Sequence, residues 1–341
     1  MVFVQTKLQK PCFKDRVFIK FQEQGIELHY NTKNCLIEIP QENQPETYQF
    51  FQLLQRGGLS ITQLAQACPT LKEEISELIA GFEQRGMLTE TPTSKRSDWM
   101  SGYQFYQDLT QFLQRFNRNL PPSLYTQKMQ EGTISRNQLI GYVLESYHVT
   151  HLCPSLLAPA LTKSESLETR KLLREFFASE LHHDRLIENS LKSVGITATQ
   201  LEQMQPLPMT FAVCTSLAVF AQQHPLSFKA ALLLFEIHDQ PFHQLFKQLC
   251  EALELPASFV DPILLHAKIN DDGDHEHITE TLLSEIAFVS PEEQLLVKKN
   301  MVILIESMMK RTEEILDYYG NSNNPLPRCF SWLNLVELGV D

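Results

Sequence analysis

Residues 172–196 read LLREFFASELHHDRLIENSLKSVGI, and the four residues Glu180-Leu-His-His183 inside this stretch decide how the rest of the chain is read. On an α-helix, Glu180 and His183, three apart, share one face with Cβ atoms about 5–6 Å apart. A carboxylate oxygen and an imidazole nitrogen aimed at one spot make half of a non-haem iron or manganese site. A solvated Glu beside a surface His would give the same four letters, so the remainder of the chain must supply the other half.

Composition narrows the function classes. The chain of 341 residues exceeds one ordinary domain of about 150, so one large and one small domain are expected. Hydrophobic residues make up 43% and charged residues 21%, which suits a globular protein with a sizeable core. The net charge of -12 speaks against a nucleic-acid or anionic-membrane surface, because phosphate binding needs clustered Lys and Arg. No apolar run approaches the ~18 residues of a membrane span. The opening MVFVQTKLQKPCFKDR has no apolar stretch after basic residues, so no secretory signal is expected. Seven scattered cysteines (Cys12, Cys35, Cys68, Cys153, Cys214, Cys250, Cys329) without a C-x-x-C fit the reduced thiols of a cytoplasmic protein. Of the 11 histidines only His29 precedes residue 148, and the others fall between His148 and His277, which puts a site in the second part of the chain.

Residues 13–40 largely alternate apolar and polar side chains (Val17, Ile19, Phe21, then Ile26, Leu28) with breaks at Gln24-Gly25 and from Asn31 to Asn34. That is the pattern of two or three short strands with tight turns. Helical spacing follows in ETYQFFQLLQRGG, then SITQLAQACPT with Ser60 as N-cap, then LKEEISELIAGFEQRGMLTE. Strands followed by three short helices make a small α+β unit of winged-helix type. FFQLLQRGGLSITQLA and LIAGFEQRGMLTE resemble the pyrroloquinoline-quinone biosynthesis protein D family, small modules that bind a peptide at a sheet edge. The resemblance implies a leader peptide or carrier protein as partner.

The polar TPTSKRSD (91–98) reads as a connection. The expected division is therefore a winged-helix domain at 1–92, a linker at 93–98 and an all-α bundle at 99–341. Among the bundle's helices are RNQLIGYVLESYHVTHLCPSLLAPAL (136–161) and a last one from Ser290-Pro291 to Gly320. Its candidate ligands recur on apolar helices. Glu236 follows five apolar residues in ALLLFEIHD, and a carboxylate in such surroundings is costly unless it meets a cation. His266 follows ILL and precedes AKINDDGDHEH. That segment is no calcium loop, because Gly273 in the sixth slot puts Lys268 first and Thr279 twelfth. His238, Asp239 and His243 read as helix-end and loop polar residues around Pro241. Glu145-x-x-His148 is a second E-x-x-H, but it lies one helix before the first, whereas a ferritin-like bundle separates its two motifs by a Glu-bearing helix. His148 and His151 therefore read as residues lining a catalytic pocket or supporting it.

The order Glu180-x-x-His183, Glu236, His266, with steps of 53 and 30 residues, resembles the haem-oxygenase-like diiron oxidases and their pyrroloquinoline-quinone biosynthesis protein C and thiaminase-II fold relatives, over roughly residues 100–320. The resemblance implies that Glu180, His183, Glu236 and His266 bind iron, two ions in all with manganese as the substitute, and that O₂ is co-substrate. Strict register from His266 puts Asn270 and Gly273 where the family has Asp and His; an insertion would make Asp271 (or Asp274) and His275 (or His277) the remaining ligands. The implied function is oxidation of a small, peptide-bound or carrier-bound substrate in natural-product or cofactor biosynthesis. Three other readings share these residues: a metal-free oxidase of the protein C type, a peptide-binding scaffold without turnover, and a thiaminase-like hydrolase with Cys153 or Cys214 as nucleophile. A homodimer is compatible with all of them.

Overall fold

The computed structural model describes residues 7–14, 17–22, 25–30, 33–39, 44–91, 99–163, 167–235, 240–272 and 277–330. The chain forms two compact units, one of residues 1–111 and 280–295, the other of residues 112–279 and 296–341. Residues 92–98, which include the expected linker at 93–98, lie outside the described residues.

In the first unit, β1 (Pro11–Phe13) pairs antiparallel with β5 (Leu88–Glu90), and β2 (Phe18–Gln22), β3 (Gly25–Tyr30) and β4 (Lys33–Glu38) form an antiparallel meander. The period-2 pattern sends Ile26, Leu28 and Tyr30 of β3 inward. Helix α1 (Gln44–Arg56) buries Phe50, Phe51 and Leu54; α2 (Ile61–Ala67) starts on a Ser60–Gln63 capping box; α3 (Ile75–Gln84) buries Ile75, Ile79 and Phe82. Phe13, Phe51 and Phe82 meet at ring distances of 5.3–5.8 Å and centre this core. Gly57 follows α1 with φ 69°, and an added Cβ would lie 2.7 Å from the Thr91 hydroxyl, so glycine is demanded there twice over. The β1–β5 pair is beyond the reach of local patterning, since its partners lie some 77 residues apart in sequence. Residues 280–295 join this unit through the Met100–Val289 bridge, the Gly102 N–H to Ile286 carbonyl bond, and Glu285, which accepts from Lys14 Nζ (2.7 Å) and from the Tyr30 hydroxyl.

The remaining helices, in chain order, are α4 (Gly102–Asn119), α5 (Leu124–Gln130), α6 (Arg136–Leu161), α7 (Leu167–Glu180), α8 (Asp184–Ser193), α9 (Ala198–Gln203), α10 (Pro208–Gln223), α11 (Pro225–Ala231) with a 3₁₀ turn at Leu232–Leu234, α12 (Gln240–Ala252), α13 (Ala257–Asp272), α14 (Ile278–Ser284) and α15 (Pro291–Gly320); all lie in the second unit except residues 102–111 of α4, residues 280–284 of α14 and residues 291–295 of α15. Pro225 and Pro241 stand in the first turns of α11 and α12, and Gly195, with φ 91°, turns the chain after α8. Helix α6 packs along α7, α8 and α10, and α8 along α13. Gly141 of α6 is where Tyr319 of α15 sits: an added Cβ would fall 2.3 Å from that ring. The tail residues 331–341 lie outside the described residues, whereas Arg328 and Cys329 dock on the Gln200–Pro206 segment.

Candidate functional site

The Glu180–His183 pair is not on one helix. Helix α7 ends at Glu180, and the chain turns through Leu181-His182-His183 with His182 at φ 74° before α8 begins. Left-handed backbone at a non-Gly residue is uncommon and costs of order 1–3 kcal/mol. The turn still brings Glu180 Oε2 to 3.4 Å from His183 Nδ1, with both residues buried (6% and 7% exposed).

Helix α13 supplies the next group. The Ser190 hydroxyl donates to the Phe259 carbonyl (2.5 Å) and fixes the register of α8 against α13. Seven residues back along α8 is His183, and seven forward along α13 is His266. Across an antiparallel pair these face each other, and their rings meet edge to face at 5.2 Å. Glu180 and His266 line a cavity of about 630 Å³ inside the helical unit, and His183 is the neighbour of both.

The cavity walls are mainly apolar, with Phe176, Phe228, Phe242, Phe246 and Met308 among them. Its polar residues are the minority: Asn117, Ser123, Tyr142, Ser146, Thr150, Cys153, His243, Arg311 and Thr312 stand beside Glu180 and His266. Cys153 Sγ lies 3.8 Å from Glu180 Oε2. Helix α6 presents Tyr142, Ser146, Val149, Thr150 and Cys153 to the cavity, the 3.6-residue stripe of one face.

His148 and His151 fall off that stripe, and neither lines the cavity. Of their two expected roles, lining the pocket is not the one seen for this cavity, because two residues past Ser146 a helix has turned by about 200°. His148 is buried, and its Nε2 makes no hydrogen bond among the described residues. Burial, helped by the nearby cations, lowers its pKa to about 4, so it is neutral at pH 7. His151 is exposed, pairs with Asp184 (2.8 Å) and stacks on Tyr147 at 5.2 Å. Glu145, fully buried, accepts from the Leu207 N–H (3.0 Å) and the Tyr319 hydroxyl (2.8 Å). Its oxygens tie α6 to the start of α10 and to α15. Burial and this carboxylate together push the Tyr319 phenol far above its usual pKa.

Two cavity groups escape a sequence reading. His243 sits in the first turn of α12, as a helix-end residue, but it also lines the cavity, three residues before buried Phe246 and seven before buried Cys250 on the apolar stripe, which was the available signal. Arg311 stands in the i, i+4, i+7, i+11 run Leu304, Met308, Arg311, Ile315 of α15, a lone cation on a buried face. Cys153 also acquires what no sequence spacing offered it, a carboxylate at its thiol. Cys214 is the opposite case: burial pushes its thiol up to about 11, so it stays protonated.

Of the other expected ligands, Glu236 and His275 lie outside the described residues, and so does the Asp271 side chain. His277, the alternative to His275, is exposed. Among the described residues no three His, Cys, Asp or Glu side chains converge tightly enough to form a metal site by themselves. What is described is the Glu180–His183 pair with His266 adjacent. The donor chemistry, a carboxylate and imidazoles, fits iron or manganese, and Glu180 Oε1, His183 Nδ1, His266 Nε2 and His243 Nδ1 are all buried.

Comparison with known proteins agrees with this architecture. Residues 125–261 match the TENA/THI-4/PQQC family, a span that holds Glu180, His183 and Glu236 and stops short of His266. No curated protein matches the chain. A crystal structure from Shewanella denitrificans OS217, described as a domain of unknown function with a haem-oxygenase-like fold, is 15% identical, with TM-score 0.51 over 65% of this chain and 94% of that one. A TenA homologue from Pseudomonas syringae pv. tomato str. DC3000 is 15% identical, with TM-score 0.47 over 67% and 97%. The helical part therefore has the haem-oxygenase-like fold, preceded by a small strand-containing region.

Proposed function

We propose that this protein is an O₂-dependent non-haem iron oxidase. Iron, or manganese in its place, is held by Glu180, His183, Glu236 and His266, and Asp271 and His275 complete a second metal position. The carrying observation is the meeting of Glu180, His183 and His266, from the α7–α8 turn and from α13, at the wall of an apolar cavity of about 630 Å³. A buried carboxylate among apolar side chains is costly, and a bound cation offsets that cost. Phe235, the sequence neighbour of Glu236, lines the cavity, which supports Glu236 as the second carboxylate. Bound iron would supply O₂ activation. The protein's own part is to exclude water with its phenylalanine walls and to orient the substrate. The small N-terminal unit would present a peptide or carrier-bound substrate, within natural-product or cofactor biosynthesis.

Metal analysis after anaerobic iron loading tests this reading. At least one iron per chain is expected, lost in Glu180→Ala and in Glu236→Ala, and O₂ uptake should follow the iron content. Less than one iron per chain, unchanged by Glu236→Ala, would end it.

One observation favours a second reading. Cys153 and Glu180 share the cavity at 3.8 Å, so a carboxylate stands ready as base for a nucleophilic thiol. This reading is of a metal-free hydrolase that attacks its substrate through Cys153. Cys153→Ala would abolish that activity while leaving iron content and O₂ uptake intact under the first reading.

A further inference from the structure

We infer that Arg311 is the anion anchor of the cavity, and that the ligand is an apolar molecule carrying a single carboxylate, seated with its charged end at Arg311 and its uncharged end at the Glu180–His266 wall. This rests on reading the cavity as a substrate site, but it does not depend on the metal.

The first argument is charge. Arg311 is the only Lys or Arg among the described residues that line the cavity. It is held by neutral groups: Nε donates to the Thr210 hydroxyl (3.1 Å) and Nη2 to the Ser146 hydroxyl (3.2 Å), while the guanidinium lies 5.6 Å from the Tyr142 ring centre. The Ser146 hydroxyl spends its own proton on the Tyr142 carbonyl (2.8 Å), so a lone pair is what it offers Arg311. No Asp or Glu pairs with Arg311 among the described residues. Glu145, the fully buried carboxylate on α6, has both oxygens committed to Leu207 and Tyr319. Two of the five guanidinium N–H donors are used, leaving the others and the whole positive charge to a ligand. A cation facing an apolar cavity without a counter-ion is costly, and an anionic ligand removes that cost.

The second argument is geometry. Ser146, which holds Arg311, and Cys153, which touches Glu180, lie on the same face of α6, seven residues apart. At 1.5 Å per residue the anchor and the Glu180 cluster are about 10 Å apart along that helix. The cavity between them is lined mainly by apolar side chains, so a ligand anchored at Arg311 presents the end remote from its charge to Glu180 and His266. The third argument selects the anion. A guanidinium fork matches carboxylate or phosphate oxygens, but a phosphate dianion calls for more than one cation. A single Arg with neutral companions suits a carboxylate.

The test is displacement of the neutral fluorescent probe N-phenyl-1-naphthylamine from the full-length, metal-free protein. The competitors are 6-phenylhexanoate, its methyl ester, and 6-phenylhexyl phosphate. The acid should displace the probe at a concentration roughly ten- to hundredfold lower than the ester, the range for a charge-assisted hydrogen bond. Arg311→Gln should erase that preference and leave the ester unchanged, while Glu180→Ala should keep it. Equal displacement by acid and ester in the wild type overturns the inference, as does a preference that survives Arg311→Gln. A preference lost in Glu180→Ala but kept in Arg311→Gln moves the carboxylate to the metal cluster, overturning the anchor while sparing the iron reading. A phosphate ester more than tenfold better than the acid overturns the carboxylate class. Should Arg311→Gln not fold, Arg311→Lys decides: the preference should fall at least threefold, and an unchanged one overturns the inference. Absence of iron binding with the acid preference intact would refute the oxidase and leave Arg311 standing.

Discussion

Glu145→Ala should destabilise the helical unit severely without affecting the Glu180–His183–His266 cluster. Glu145 is fully buried and accepts two hydrogen bonds, from Leu207 N–H at 3.0 Å and from Tyr319 O–H at 2.8 Å. Bonds to a charged acceptor are worth about 1.5–3 kcal/mol each. Removing the acceptor also strands two buried donors, while the lost charge recovers part of its desolvation cost. The balance is a loss of about 3–4 kcal/mol. Glu145→Gln keeps the shape and one acceptor oxygen, and should cost about half as much, ~2 kcal/mol. Urea unfolding followed by far-ultraviolet circular dichroism measures both, and iron content of the folded Gln variant reports on the metal. A loss below about 1 kcal/mol for Glu145→Ala would refute the tying role. An iron content cut to half or less in folded Glu145→Gln would make the second E-x-x-H a ligand pair after all.

Other consequences can be measured separately. Ser190→Ala removes the bond to the Phe259 carbonyl that sets α8 against α13; it should cost about 1–2 kcal/mol and weaken iron binding, and unchanged iron affinity would show that His183 and His266 are registered by other contacts. His148 takes up a proton near pH 4 in the fold but near 6.5 when unfolded. The unfolded chain therefore binds more protons in that window, and stability should fall as the pH drops from about 6.5 to about 4, by up to ~3 kcal/mol, and level off below. The difference between wild type and His148→Leu across that range isolates the effect, and a flat difference would refute it. Cys214 and Cys250, with thiols pushed by burial to about 11 and about 12, should resist iodoacetamide at pH 8 in the folded protein and react once it is unfolded. Labelling of either before unfolding would contradict their burial.

Periodicity made much of this protein legible. The β3 alternation of Ile26, Leu28 and Tyr30, the Ser60–Gln63 capping box, the span of α6 from Arg136 to Leu161 and the Pro291 start of α15 all follow from local rules. So does the closeness of Glu180 and His183, although for a different reason than a helix face. A turn of three residues returns the chain on itself as a helical turn does, and the left-handed His182 that makes it leaves no trace in the spacing.

Local rules fail where a partner comes from far along the chain. The β1–β5 pair, the place of residues 280–295 beside the N-terminal strands, and the separate fates of the two E-x-x-H motifs are settled by packing. Glu145 and Glu180 look alike in sequence. One meets Tyr319 and Leu207 and spends its oxygens on structure, while the other meets His183 and Cys153 at a cavity wall. Sequence alone determined which side chains could carry chemistry, because residue type and periodicity are local. Only the tertiary structure decided which of them share a space, because a helix turns by about 100° per residue and two positions along α6 separate Ser146 beside the cavity from His148 away from it.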